Sequence, residues 1–162
     1  MSTRIVSWNC ADWLGRKSER VLATQPDIAI IQEVRAEHAG ALGETYATVW
    51  DGDPGQRGLL IAASTAWSLE LLHRASSRHM VLVRASSGSE ELFICGVWAM
   101  PKPHGYVGSV IRGLDELPPL NSDAKVIVAG DFNASVVFDR NHPPTGHFNQ
   151  IAQRLRGRGL ES

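Results

Sequence analysis

Cysteine is nearly absent: Cys10 and Cys95 are the two in 162 residues. Two cysteines supply neither a disulfide framework nor a zinc-finger spacing, and a reduced, cytoplasmic setting is the expectation. No apolar run approaches the roughly 20 residues that cross a bilayer, so no membrane span is expected. The opening residues, MSTRIV, carry no apolar core of a secretory signal. Neither sign of charge dominates, since 16 Lys+Arg stand against 17 Asp+Glu for a net charge of −1. A surface that grips duplex nucleic acid by charge alone is basic, so this balance argues against that mode. It leaves a nuclease open, because bound divalent cations add positive charge where a phosphate must sit. No aromatic-rich basic stretch points to single strands. Repeats, low-complexity tracts and linker-like clusters are missing too, so residues 1–162 read as a single domain.

What is present is a series of short apolar segments separated by turn residues. Residues 4–8 read as a β-branched, aromatic strand. A helix is expected over 16–24, ended by Pro26. The run Ile28-Ala29-Ile30-Ile31 suits a strand buried on both faces. Further strands are expected over 46–50, 58–63, 67–73, 80–85, 92–98 and 125–129. Turn chemistry such as Asp51-Gly52-Asp53-Pro54-Gly55 divides them. Helices are expected over 107–117, stopped by Pro118-Pro119, and over 148–156, stopped by Gly157. Strands outnumber helices, and the helices fall between groups of strands. That pattern predicts sheets packed face to face with helices outside.

Three strand ends carry chemistry: Ser7-Trp8-Asn9, Gln32-Glu33 and Gly130-Asp131-Phe132-Asn133. A hard cation such as Mg²⁺ takes oxygen ligands, commonly one or two carboxylates plus waters. Glu33 offers a carboxylate and Asn9 an amide oxygen. Asp131 and Asn133 are two apart, which in extended backbone puts both on one face. One can orient or deprotonate a water while the other donates to a phosphate oxygen. Alone, each segment also has an ordinary reading as a turn or a solvated surface; the ordered combination carries the argument.

That combination, with Pro26-Asp27-Ile28-Ala29-Ile30-Ile31-Gln32-Glu33 and Val128-Ala129-Gly130-Asp131-Phe132-Asn133 in the same order along the chain, resembles the endonuclease/exonuclease/phosphatase superfamily, the deoxyribonuclease-like group. The resemblance implies an α/β fold with two β-sheets packed face to face and helices outside, a four-layer αββα sandwich. It implies Mg²⁺ or Mn²⁺ and in-line attack of water on a phosphodiester, possible substrates being DNA or RNA, with inositol phosphates and lipid headgroups left open. It places Asn9 and Glu33 at the metal, and Asp131 and Asn133 at the nucleophile and scissile phosphate.

The resemblance also implies a Ser-Asp-His run near the carboxyl end, and none occurs in this sequence. Gly159-Leu160-Glu161-Ser162 falls where a further strand is expected. The domain is therefore read as lacking its C-terminal strands, with weakened or lost activity. The open sheet edge would be covered by self-association or a second chain. His142 and His147 are weighed as replacements for the missing histidine. Trp98 stands where a phosphate-contacting His or Tyr is common in the superfamily, and is read as a core aromatic; His104 and Tyr106 are weighed in that role. The primary expectation is a divalent-metal-dependent phosphodiester hydrolase of nuclease type. The alternative is a non-catalytic or partner-completed binding module of the same fold.

Overall fold

A computed structural model describes residues 2–161. Eight strands form two four-stranded sheets. β1 (Ile5–Asn9), β2 (Ile28–Arg35), β3 (Tyr46–Asp51) and β4 (Arg57–Ser64) lie in the order β1-β2-β4-β3. β5 (Ser68–Arg74), β6 (Met80–Ser87), β7 (Glu90–Trp98) and β8 (Val126–Asp131) lie in sequence order. The β1–β2 and β7–β8 pairs are parallel and the others antiparallel. Each parallel pair is linked by a helix, as a crossover requires: α1 (Leu14–Leu22) and α2 (Gly105–Glu116). α3 (Phe148–Arg156) follows β8.

Alternation along each strand builds the layers. Ile28, Ile30, Leu59 and Ile61 point inward, where they meet Val81, Val83 and Ile94 of the second sheet. Their neighbours Ala29, Ile31, Leu60 and Ala62 face the other way, onto Leu14 and Val21 of α1. On the far side Leu82, Cys95 and Val97 meet Val107, Val110 and Leu114 of α2 and Ile151 of α3. A period of two therefore serves two cores at once, which is why these strands read as unbroken apolar runs. The result is the expected αββα sandwich, with open sheet edges at β1 and β8.

Two boundaries differ from expectation in ways that matter for the site. β2 does not stop at Ile31. It continues to Arg35 through a bulge between Gln32 and Val34, where pairing with β4 shifts register. β8 runs on to Asp131 because its partner β7 pairs with it as far as Trp98, and the N–H of the next residue, Ala99, donates to the Asp131 carbonyl at 2.8 Å. Both extensions come from pairing with another strand, which local composition does not encode.

Candidate active site

β1 and β8 are edge strands of different sheets, and their carboxyl ends meet. The Asn9 side-chain nitrogen, Nδ2, donates to Asp131 Oδ2 at 2.9 Å and to Glu33 Oε1 at 3.0 Å. One amide nitrogen thus joins three segments spread over 122 residues of sequence. All three sequence-identified strand ends converge here.

Each residue is held by a specific local feature. The Asn9 amide oxygen accepts the Ala11 N–H at 3.0 Å, an Asx-type turn that ends β1. The nitrogen, not the oxygen, therefore faces the acids, opposite to the orientation expected of an amide ligand. Glu33 sits in the β2 bulge with φ of 63°, a left-handed conformation rare for glutamate. Bulges of this kind re-aim a side chain; its neighbours Gln32 and Val34 are buried while Glu33 reaches the rim. Beneath it the Cys10 thiol donates to the Glu33 carbonyl at 3.4 Å. At Gly130, φ is 147° and an added Cβ would lie 1.9 Å from the Val97 carbonyl oxygen. Only glycine lets β8 lie this close to β7, and Asp131 follows directly. Asp131 Oδ1 accepts the Asn133 N–H at 3.0 Å, and Asn133 Nδ2 donates to the Ala99 carbonyl at 3.2 Å.

Strain is concentrated around this point. Among the described residues seven non-glycine positions have positive φ, and four of them, Ala11, Asp12, Glu33 and Asn133, belong to the segments that form the site. Such conformations persist only where surrounding structure enforces them, and they gather at functional sites.

Charge at the centre is unequal. Two carboxylates meet one cation, Arg57, whose guanidinium pairs with Glu33 Oε2. Next to it Arg35 pairs with Asp12 at 2.9 Å. Sequence reading missed Arg57, Arg35 and Asp12, as it missed Cys10. The signal for Arg57 is only tertiary: it is the register partner of Arg35 across β2–β4, two residues past the Glu33 bulge.

The donor set suits a hard divalent cation. Carboxylate oxygens from one or two acids, with water and phosphate filling the remainder, are what Mg²⁺ takes from proteins. Glu33 and Asp131, drawn to one shared donor, supply such oxygens. No group of three or more His, Cys, Asp or Glu forms a ready-made metal cage among the described residues.

Trp98 is buried at 6% exposure in the core between the sheets, its ring 4.8 Å from that of His79. It packs as a core aromatic. Burial lowers the His79 pKa below its usual 6.5, against an opposing pull from Asp51. His104, Tyr106 and His142 instead line one cleft of about 510 Å³, and Asn133 lies on its wall. His147 is turned elsewhere, its Nε2 donating to the His142 carbonyl at 2.9 Å.

No family model and no curated protein matches the chain by sequence. Solved structures do match in three dimensions. D. rerio TDP2 complexed with single-strand DNA product is 16% identical with a TM-score of 0.61, covering 90% of this chain and 65% of that one. The endonuclease domain of TRAS1, a telomere-specific non-LTR retrotransposon, is 15% identical with a TM-score of 0.65, covering 99% and 74%. ANGEL2, a 2′,3′-cyclic phosphatase, is 14% identical with a TM-score of 0.57, covering 82% and 52%. The chain thus spans about two thirds or less of the TDP2 and ANGEL2 chains. At such identities what the likeness establishes is a shared fold.

Proposed function

We propose that this chain is a divalent-metal-dependent phosphodiester hydrolase of nuclease type, built as one domain over residues 1–162, with Asn9, Glu33, Asp131 and Asn133 as its site. One observation carries the reading: the Asn9 amide holds Glu33 and Asp131 together across the two sheets. The shared fold with an endonuclease domain and with a protein bound to a DNA product supports it. Fold alone hosts many functions, so the weight rests on the site.

The roles follow from the hydrogen-bond inventory. Glu33, steadied by Arg57, is the carboxylate that would hold Mg²⁺ or Mn²⁺, with Asn9 setting its position. Asp131 has one oxygen committed to Asn9 and the other to the Asn133 N–H. Each oxygen keeps a lone pair, enough to orient a water and accept its proton. Asn133 uses one of its two amide hydrogens on Ala99; the second is available to a phosphate oxygen. A bound cation would supply Lewis-acid stabilisation of the phosphoryl and leaving oxygens.

The test is hydrolysis of a bis-nitrophenyl phosphodiester, and of mixed DNA and RNA, with Mg²⁺ or Mn²⁺ and with chelator. Turnover that requires metal and disappears in Asp131→Ala supports the reading; none from folded wild-type protein overturns it. A second reading, a non-catalytic or partner-completed module of the same fold, is favoured by one observation: an apolar groove of about 340 Å³ runs along β8, lined by Val126, Val128, Phe148 and Leu155 among others. Self-association through that edge would appear as a dimer in sedimentation, whereas a monomer at all concentrations would count against it.

A cytoplasmic setting is part of the proposal. No helix among the described residues is long and apolar enough to cross a membrane. Cys10 and Cys95 are both free and buried, and burial pushes the Cys95 thiol up to about 12. Thiol reagents should label the protein only after unfolding; finding Cys10 or Cys95 oxidised in protein taken from cells would sink this assignment.

A further inference from the structure

The cleft beside Asn133 has a composition the acid cluster does not explain. It lies between the start of α2 and the segment that leaves the site after Asn133, and its volume of about 510 Å³ suits a small-molecule-sized group. Large apolar side chains are unusually exposed here. Among the described residues five stand out, and four belong to these two segments: Tyr106 at 37%, Val136 at 61%, Val137 at 71% and Phe138 at 55%. Tyr106 and Phe138 are on the cleft wall itself.

The polar lining is as selective as the apolar one. His104 and His142 bring ring nitrogens that can meet a hydrogen-bonding edge. Asp139 is the one acid of the described lining, and its carboxylate is engaged, accepting the Phe148 N–H at 2.8 Å to cap α3. Asp139 keeps its negative charge in that bond, so the described lining carries a single carboxylate, held in place at the start of α3. Asn133 belongs both to the cleft and to the acid cluster. A phosphate at Asn133 would place its own attached nucleoside at the cleft mouth.

We propose that this cleft seats an unpaired nucleobase next to the scissile phosphate, so that the substrate is single-stranded nucleic acid rather than the interior of a duplex. The inference deepens the hydrolase reading and rests on it. A base inside a duplex is stacked on its neighbours and must be extruded before it can enter such a cleft. An unpaired base has both faces free for Tyr106 and Phe138, and aromatic stacking tolerates any base. No lysine or arginine is among the described lining of the cleft, so binding there draws little on counterion release and its salt dependence is shallow.

The experiment measures binding separately from turnover. The Asp131→Ala protein in Mg²⁺ is titrated into fluorescein-labelled oligothymidylate, and into a blunt duplex of equal length, with anisotropy as the readout. Single strand is expected to bind at least tenfold more tightly than duplex. Adding Tyr106→Ala or Phe138→Ala is expected to weaken the single-strand complex by about tenfold to a hundredfold, and Tyr106→Phe to restore it. Both positions are exposed, and matching melting curves establish that each variant folds. Equal affinity for strand and duplex overturns the proposal, as does wild-type-like binding by both alanine variants or no measurable binding of either ligand. If wild-type protein hydrolyses no phosphodiester at all, the hydrolase reading falls, while the strand-versus-duplex comparison still decides what the cleft recognises.

Discussion

β4 and β8 have nearly the same character in sequence and opposite positions in the fold. Leu59, Leu60, Ile61, Ala62 and Ala63 of β4 are all 0% exposed, with strands on both sides and apolar layers on both faces. Val126 to Asp131 of β8 are all only half-buried, paired on one edge alone. The apolar run marks a strand in both cases but does not rank it as central or edge. The difference has a functional side. β4 contributes stability and little else, apart from Arg57 at its first residue. β8 gives up burial and carries Asp131, with Gly130 pressed against Val97. An edge leaves a strand end accessible to solvent and to whatever binds there; a central strand does not.

This comparison can be broken experimentally, and the largest effect should be on catalysis. Asp131→Ala is expected to lower metal-dependent phosphodiester turnover by about 10²–10⁴-fold while leaving the melting midpoint near that of wild type. Loss of both together would mean that the rim of β8 is structural as well. Ile61→Ala should behave in the opposite way. It opens a cavity between the sheets and should cost roughly 2–5 kcal/mol in urea unfolding, with turnover per folded molecule retained. In Val128→Ala, on half-buried β8, the expected loss is smaller, about 1 kcal/mol, near half the value for a fully buried valine. A loss as large as that at Ile61 would show that β8 is covered in solution, and sedimentation would then identify a dimer.

The smallest effect is a pH response. His79 stacks on Trp98, the residue paired with Asp131 in the β7–β8 register. Its folded pKa lies below 6.5 because burial disfavours the charged ring. The unfolded chain then binds more protons than the native state just below 6.5, so stability rises with pH through that window. The contribution is fully present above about 6.5 and is lost as the medium becomes more acidic. Urea midpoints at pH 7.5 and 5.5 should differ more in wild type than in His79→Asn. Equal differences would assign the acid sensitivity to other groups.

The strands and helices were legible because their signals are local. The run 28–31 and the stops at Pro26, Pro118 and Gly157 are matters of burial period and backbone chemistry. The site was partly legible: Asn9, Glu33 and Asp131 follow apolar runs in an order that resembles a known superfamily, and the structure brings them within hydrogen-bonding distance. Arg57 was not legible, because an arginine opening a strand is ordinary until its register partner is known. The pairing of exposed Tyr106 with Phe138 was not legible either, Tyr106 being weighed only as a phosphate contact. They lie 32 positions apart, and nothing in a linear scan for aromatic-rich stretches joins them.

The sequence by itself determined which segments are strands and which residues carry oxygen and amide chemistry. These depend on side-chain type, spacing and backbone freedom within a few residues. Only the tertiary structure decided that β1 and β8 are edges whose ends meet, that the Asn9 nitrogen rather than its oxygen faces the acids, and that a cleft opens beside Asn133. Those features depend on register and sheet order, set by the burial of two cores together rather than by any one segment.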